Sequence, residues 1–217
     1  MKVKLVNYSH APEIGDLLQQ VAYAARVSNP TNQNNTETAE KLVRYLIKHQ
    51  HWSPLEMVSV CMEIETTRDI ARQILRHRSF SFQEFSQRYA DPTKDLHFET
   101  REARLQDLKN RQNSIETSDY ALELSWQAVQ EKVISASQDA YKWAIDNGIA
   151  KEQARSVLPE GITASRMYMN GTLRSWVHYI QLRSANGTQK EHREIAIACA
   201  SAIKPIFPMI EEFVTVE

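Results

Sequence analysis

Residues 72–89 concentrate four arginines, one histidine and three serines in eighteen positions, with no lysine among them. A guanidinium is a planar fork that grips phosphate oxygens, or the edge of a flat heterocycle, through two parallel hydrogen bonds; an ammonium is a point charge and does not. The run is therefore suited to a phosphorylated, planar ligand. It equally suits a helix C-terminus whose cations offset the macrodipole. A second set, Arg155, Arg166, Arg174, His178 and Arg183, follows in the C-terminal half. At helical spacing Arg174, His178 and Gln181 share a face, with Trp176, Val177 and Ile180 opposite. Arg183 stands in the last turn, where a solvated terminal cation is the alternative reading. Two arginine clusters in a protein of net charge −1 suggest two phosphorylated ligands bound side by side.

Other chemistries are poorly supplied. The two cysteines, Cys61 and Cys199, sit in apolar stretches with no neighbouring His or Arg to lower a thiol pKa, and both are expected in the core. Five glycines leave no Gly-x-Gly-x-x-Gly and no Walker A loop, so a nucleotide must be held by side chains and helix ends. His49-x-His51 has no further ligand at metal spacing, and no metal is expected. Neither the neutral balance nor any apolar run predicts nucleic acid or membrane as a partner, and the N-terminus has no apolar leader. The expectation is a soluble, cytoplasmic protein.

The elements that must position these residues are read from periodicity. Alternation over 2–8 predicts a strand, and Ile14, Leu17, Leu18, Val21, Ala24 and Ala25 predict a helix over 11–27. A loop at 29–35 leads to a helix capped by Thr36, which His51-Trp-Ser-Pro54 ends before a strand at 56–65. A short helix over 67–77 places Arg72 and Arg76 on one face, and a strand is expected near 86–90. Residues 91–118 read as a polar surface excursion, followed by a long helix over 118–147 that ends at Asn147-Gly148. A short helix at 150–157, a strand at 162–169 and helices at 172–184 and 189–204 complete a single α+β domain spanning 1–217, with a mixed or antiparallel sheet flanked by helices.

Arg76-His77-Arg78 with Ser86 and Arg88 after it resembles the signature of the flavin-dependent thymidylate synthases, the ThyX family. Ala25-Arg-Val-Ser28, His51-x-Ser53-Pro54-x-Glu56, Ala154-Arg155-x-Val157-Leu158-Pro159, Leu173-Arg174-Ser175 and Leu182-Arg183 resemble further blocks of that family, in order. The resemblance implies a homotetramer with sites between subunits, using FAD, with NADPH and methylenetetrahydrofolate as co-substrates and dUMP as substrate. By position it implies flavin contacts at Arg76, His77 and Arg78, completed by His51, Ser53, Glu84, Thr172, Arg174 and His178. It implies dUMP contacts at Gln73, Ile74, Leu75 and Arg76, then at Glu84, Phe85, Ser86, Gln87 and Arg88, and at Arg155. Arg183 matches the arginine that polarises the uracil ring at N3. Thr172 and Gln83 stand where the family commonly has asparagines, and Gly187 where some members have a histidine.

The residue chemistry agrees with that implication. Methylating C5 of uracil requires an electron-rich ring, and cysteine-dependent thymidylate synthases obtain it by sulfur attack at C6. This chain has no cysteine in a suitable setting. A guanidinium against N3 and O4 can stabilise an ionised ring instead, and a flavin can supply the hydride. Two other readings remain at this level: a non-catalytic RNA- or nucleotide-binding module that stacks bases on Phe80, Phe82, Phe85 and Tyr89, and a flavoprotein oxidoreductase acting on another substrate.

Overall fold

The computed structural model describes residues 1–215. Its elements in chain order begin with β1 (Lys2–Tyr8), α1 (Leu17–Ala25), α2 (Ala39–Lys48), β2 (Ser59–Thr67), α3 (Arg68–Ile74) and β3 (Phe80–Glu84). They continue with α4 (Pro92–Asp95), β4 (Arg104–Gln106), β5 (Ser114–Glu116), α5 (Tyr120–Asp146), α6 (Lys151–Ala154), β6 (Ala164–Thr172), α7 (Leu173–Arg183) and α8 (Lys190–Ile203). Four strands form an antiparallel sheet in the order β1-β2-β6-β3, and β4 and β5 form a separate hairpin.

The sheet is buried on one side because its two central strands alternate. Val60, Met62 and Ile64 of β2 and Met167 and Met169 of β6 are wholly buried against α1, α2, α3, α7 and α8. Each such side chain contributes roughly 1.5–3 kcal/mol through apolar burial. The opposite face carries Glu63, Glu65, Arg166 and Tyr168, with Glu65 and Arg166 paired at 2.7 Å. The same alternation corrects one expectation: Cys61 lies on this polar face, half-exposed, while Cys199 is fully buried as expected.

Trp176 fixes α7 on the sheet. It is fully buried, donates from Nε1 to the Val60 carbonyl at 2.9 Å, and meets the Phe80 ring edge-on at 4.9 Å. Gly171 makes room for that ring, since a Cβ there would stand 2.4 Å from Phe80 Cδ1. Arg174 and His178 are thereby turned outward.

Several boundaries differ from the sequence reading. Helix α1 starts at Leu17 rather than 11, because Pro12 and Gly15 (φ +108°) form a turn and Asp16 caps the helix by accepting from Gln19 N at 2.8 Å. Thr38, not Thr36, precedes α2, and its hydroxyl accepts from Arg26 Nη2 at 2.8 Å. Helix α3 stops at Ile74, so Arg76 lies in the following turn while Arg72 pairs with Glu160 at 2.5 Å. The strand expected near 86–90 lies at Phe80–Glu84, and residues 86–90 form a turn closed by Tyr89 and Ala90 N–H groups on the Ser86 carbonyl.

Residues 91–118 contain α4 and the β4–β5 hairpin. They are tied down by Arg101, which pairs with Asp69 at 2.8 Å and Glu191 at 2.9 Å, and by Arg104 on Glu191. The long α5 ends at Asn147 with Gly148 at φ +76°, as its sequence predicts.

Candidate active site

The C-terminal ends of α3 and α7 meet the start of α8, and this junction holds the most connected polar group of the candidates. Arg183, the last residue of α7, donates from Nε to His77 Nε2 at 2.9 Å. Among the described residues its two terminal nitrogens have no hydrogen-bond partner, so the outer edge of the fork is free. Burial and the Arg183 and Arg76 cations push the His77 pKa down to about 4, so the ring is neutral at physiological pH and able to accept. Its face is set by an edge-on contact with Tyr179 at 4.9 Å. Gln73, in the last turn of α3, donates to Gln189 Oε1 at 2.8 Å. Ile74 is wholly buried, so only its main chain can meet a ligand, and Leu75 is half-buried.

A second group lies at the start of α7. Arg174 donates to Glu56 at 2.6 Å, and His178 meets Trp52 edge-on at 4.7 Å. Thr172 caps α7 through its hydroxyl, which accepts from Ser175 N at 3.3 Å, while Ser175 Oγ donates to the Ser79 carbonyl at 3.2 Å. His51 and Ser53 are exposed on either side of Trp52, and Ser53 begins a turn over Ser53–Glu56. Burial and the Arg174 cation lower the His178 pKa. Arg76 and Arg78 are exposed, and among the described residues neither side chain has a partner. Unpaired guanidinia of this kind, with the exposed His51, Ser53 and His178 as further polar groups, are of the chemistry that a diphosphate-bearing cofactor such as FAD requires.

The third group follows β3. Glu84 accepts from Ser165 Oγ at 2.7 Å and from Arg68 at 3.5 Å, and Phe85 N donates to the Arg166 carbonyl at 2.8 Å. Ser86 Oγ accepts from Arg88 N at 3.4 Å. Arg88 pairs with Glu152 at 3.3 Å, and Arg155 Nε donates to the Glu152 carbonyl at 3.3 Å. Gln87 is only 4% exposed, yet its Nε2 has no partner among the described residues. This unpaired buried amide donor is next in sequence to Arg88, whose guanidinium reaches Glu152.

The structure thus divides what the sequence reading joined. Arg174 and Arg183 belong to one helix but not to one cluster, because positions nine apart lie about half a turn from each other. Gln73 and Arg183 lie at the α3–α7–α8 junction, whereas Glu84 ends β3, residues 85–88 follow it and Arg155 follows α6. The base-stacking platform is absent: Phe80 is in the core, Phe82 and Phe85 are half-buried, and Tyr89 alone stands out at 81% exposure.

Sequence reasoning missed Tyr179, Gln189, His192, Trp52 and Glu152 as members of these groups. His192 was discoverable. It begins the stripe His192, Ile195, Ala196, Cys199, Ala200, Ile203, all buried, and is its one ionisable imidazole.

The family described as Thymidylate synthase complementing protein matches residues 4–209. The chain is 50% identical over 192 residues to a probable flavin-dependent thymidylate synthase of Paramecium bursaria Chlorella virus 1, spanning 88% of this chain and 87% of the viral one. It is 49% identical over 190 residues to a flavin-dependent thymidylate synthase of Synechocystis sp., spanning 88% and 86%. Its fold matches the crystal structure of a UMP/dUMP methylase, PolB, from Streptomyces cacaoi bound with 5-Br UMP. That match has a TM-score of 0.83 at 26% identity and covers 98% of this chain and 92% of that chain.

Proposed function

The chain belongs to the thymidylate synthase complementing protein family, the flavin-dependent thymidylate synthases, and from that membership we propose that it converts dUMP to dTMP. Methylenetetrahydrofolate donates the carbon, and FAD reduced by NADPH supplies the hydride that completes the methyl group. Arg76, Arg78, His51, Ser53, Arg174 and His178 hold the flavin, with Thr172 at the start of α7, and Glu84 reaches it from the end of β3. Ser86, Gln87, Arg88 and Arg155 hold the phosphate and sugar of dUMP, while Gln73 and Arg183 face the pyrimidine.

The observation that carries this reading is the free edge of Arg183. Its Nε is anchored on a neutral His77, so the two terminal N–H groups are pre-oriented for adjacent ring atoms. Placed at N3 and O4, they stabilise the ionised uracil and leave C5 nucleophilic without sulfur attack. The thiols support the same view. Cys199 is fully buried, which pushes its pKa up, and burial also raises that of Cys61 on the polar sheet face. A protein with both changed to Ser should still form dTMP at a rate of the wild-type order, with some stability lost to a buried hydroxyl. A covalent dUMP–sulfur adduct, together with a folded but dead double variant, refutes the mechanism.

Flavin binding is the first experiment. The purified protein should take up FAD stoichiometrically, and Arg78→Ala should weaken that binding by roughly 1.5–3 kcal/mol, the usual loss of a charge-assisted hydrogen bond. A protein indifferent to FAD removes the proposal.

The assembly we propose is a homotetramer of one-domain chains in the cytoplasm, with each site shared between subunits. Helix α5 supports it: Leu122, Trp126, Val129, Val133, Ala136, Ala140 and Trp143 recur at alternating steps of four and three, and all but Ala140 are exposed. That spacing packs one helix against another. No helix among the described residues is long and apolar enough to cross a membrane.

A further inference from the structure

Behind Arg183 runs a chain of hydrogen bonds, buried at its tyrosine and histidine end and half-buried beyond, whose every direction is dictated by its ends. Tyr179 is 1% exposed and its OH lies 3.1 Å from His192 Nε2. His192 is wholly buried, and its Nδ1 lies 3.2 Å from Gln73 Oε1. Gln73 Nε2 lies 2.8 Å from Gln189 Oε1, and Gln189 Nε2 lies 2.9 Å from Glu191 Oε2. The last carboxylate pairs with Arg101 at 2.9 Å and with Arg104, so it is ionised and only accepts.

Directionality follows residue by residue. Burial raises the Tyr179 pKa well above its usual value, so the phenol keeps its proton and donates it to His192 Nε2. Burial, Arg183 and His77 push the His192 pKa down to about 3, so its ring is neutral and carries its one proton on Nδ1. That N–H must donate to Gln73 Oε1, and Gln73 must then turn an N–H toward Gln189. An isolated glutamine amide can flip by half a turn at little cost. This one cannot flip without setting oxygen against oxygen and donor against donor.

We propose that His192 is a positioning residue for the pyrimidine site: it locks the Gln73 amide so that its unpaired N–H, and never its carbonyl, is offered to a uracil carbonyl. The claim rests on the thymidylate synthase reading for its substrate. It assigns to α8 a task that neither the arginine signature nor the loop motifs contain. The stripe position would otherwise take an aliphatic side chain, as Ile195, Ala196 and Ile203 do in the turns that follow.

Three variants separate positioning from packing. His192→Asn keeps a donor near the Nδ1 position, His192→Gln keeps a polar group near Nε2 only, and His192→Leu keeps neither. With flavin content and thermal unfolding checked, His192→Leu and His192→Gln should raise KM for dUMP about tenfold with kcat changed far less, and His192→Asn should stay within about threefold of wild type. Equal shifts in all three, or no shift in the Leu variant, overturn the positioning role. The chain itself is read without activity, by ring-15N histidine NMR of the holoenzyme. The resonance missing from His192→Asn should show the Nδ1–H tautomer and no titration from pH 8 to 5. An Nε2–H tautomer, or protonation near pH 6.5, overturns the inference. If wild type binds no dUMP while the tautomer is as expected, the failure lies in the functional reading and not in the chain.

Discussion

Arg183→Ala is expected to leave FAD bound and NADPH oxidation by the flavin close to normal, while methyl transfer to dUMP falls by roughly 100-fold or more, the usual loss for one oriented donor at developing charge. The structure explains why so much should hang on one side chain. Arg183 reaches the α3–α7–α8 junction from the last position of α7, and His77 uses only its Nε. The remaining edge is a two-point donor, and the Nε contact favours one orientation of it before any ligand arrives. Arg183→Lys should recover little, because an ammonium cannot span two adjacent ring atoms and has no Nε to rest on His77. The competing account makes Arg183 a helix-terminal cation, for which Lys would serve equally at a cost below about 1 kcal/mol. Single-turnover formation of dTMP by enzyme reduced beforehand distinguishes the two, and a near-normal Lys variant makes Arg183 structural.

Subunit exchange should produce the other large change, from near zero to substantial activity. Among the described residues no hydrogen bond or ion pair links the Arg183 junction to the group around Glu152. If one protomer supplies Gln73 and Arg183 while its neighbour supplies Arg88 and Arg155, two dead variants can complement each other. Mixing Arg183→Ala with Arg155→Ala after reversible dissociation should restore activity at about a quarter of the sites, the share that draws an intact half from each parent in a randomly mixed symmetric oligomer. A pair drawn from one group, Arg183→Ala with His77→Ala, should give no rescue, because every site then lacks one of the two. Rescue by both pairs, or by neither despite verified exchange, contradicts the division of the site.

How far this was legible differs from residue to residue. Strands β1 and β2 follow from alternation because a half-buried sheet enforces period two, and the end of α5 follows from Asn147-Gly148. Strand β3 was misplaced because Phe80 and Phe82, which face the core, read as a loop when interleaved with serine and glutamine. The start of α1 was hidden because apolar spacing continues through Ala11 and Ile14, and only the Asp16 cap with Gly15 before it marks the true boundary. Helical geometry alone sets Arg174 and Arg183 on opposite sides of α7, nine positions being about two and a half turns, so their separation is legible without a structure. The pairs Arg174–Glu56, Arg88–Glu152 and Gln73–Gln189 were out of reach because they join residues 118, 64 and 116 positions apart. No local pattern encodes such contacts.

Everything above turns on whether this chain forms dTMP with a flavin and without a sulfur nucleophile. The decisive measurement incubates the purified holoenzyme, its flavin reduced beforehand, with dUMP and methylenetetrahydrofolate under anaerobic conditions and quantifies dTMP after one turnover. Formation of dTMP with matching oxidation of the flavin, and no protein-bound nucleotide in the quenched sample, is the predicted result. Flavin that stays reduced while dUMP remains unchanged, or dUMP trapped on Cys61 or Cys199, would contradict it.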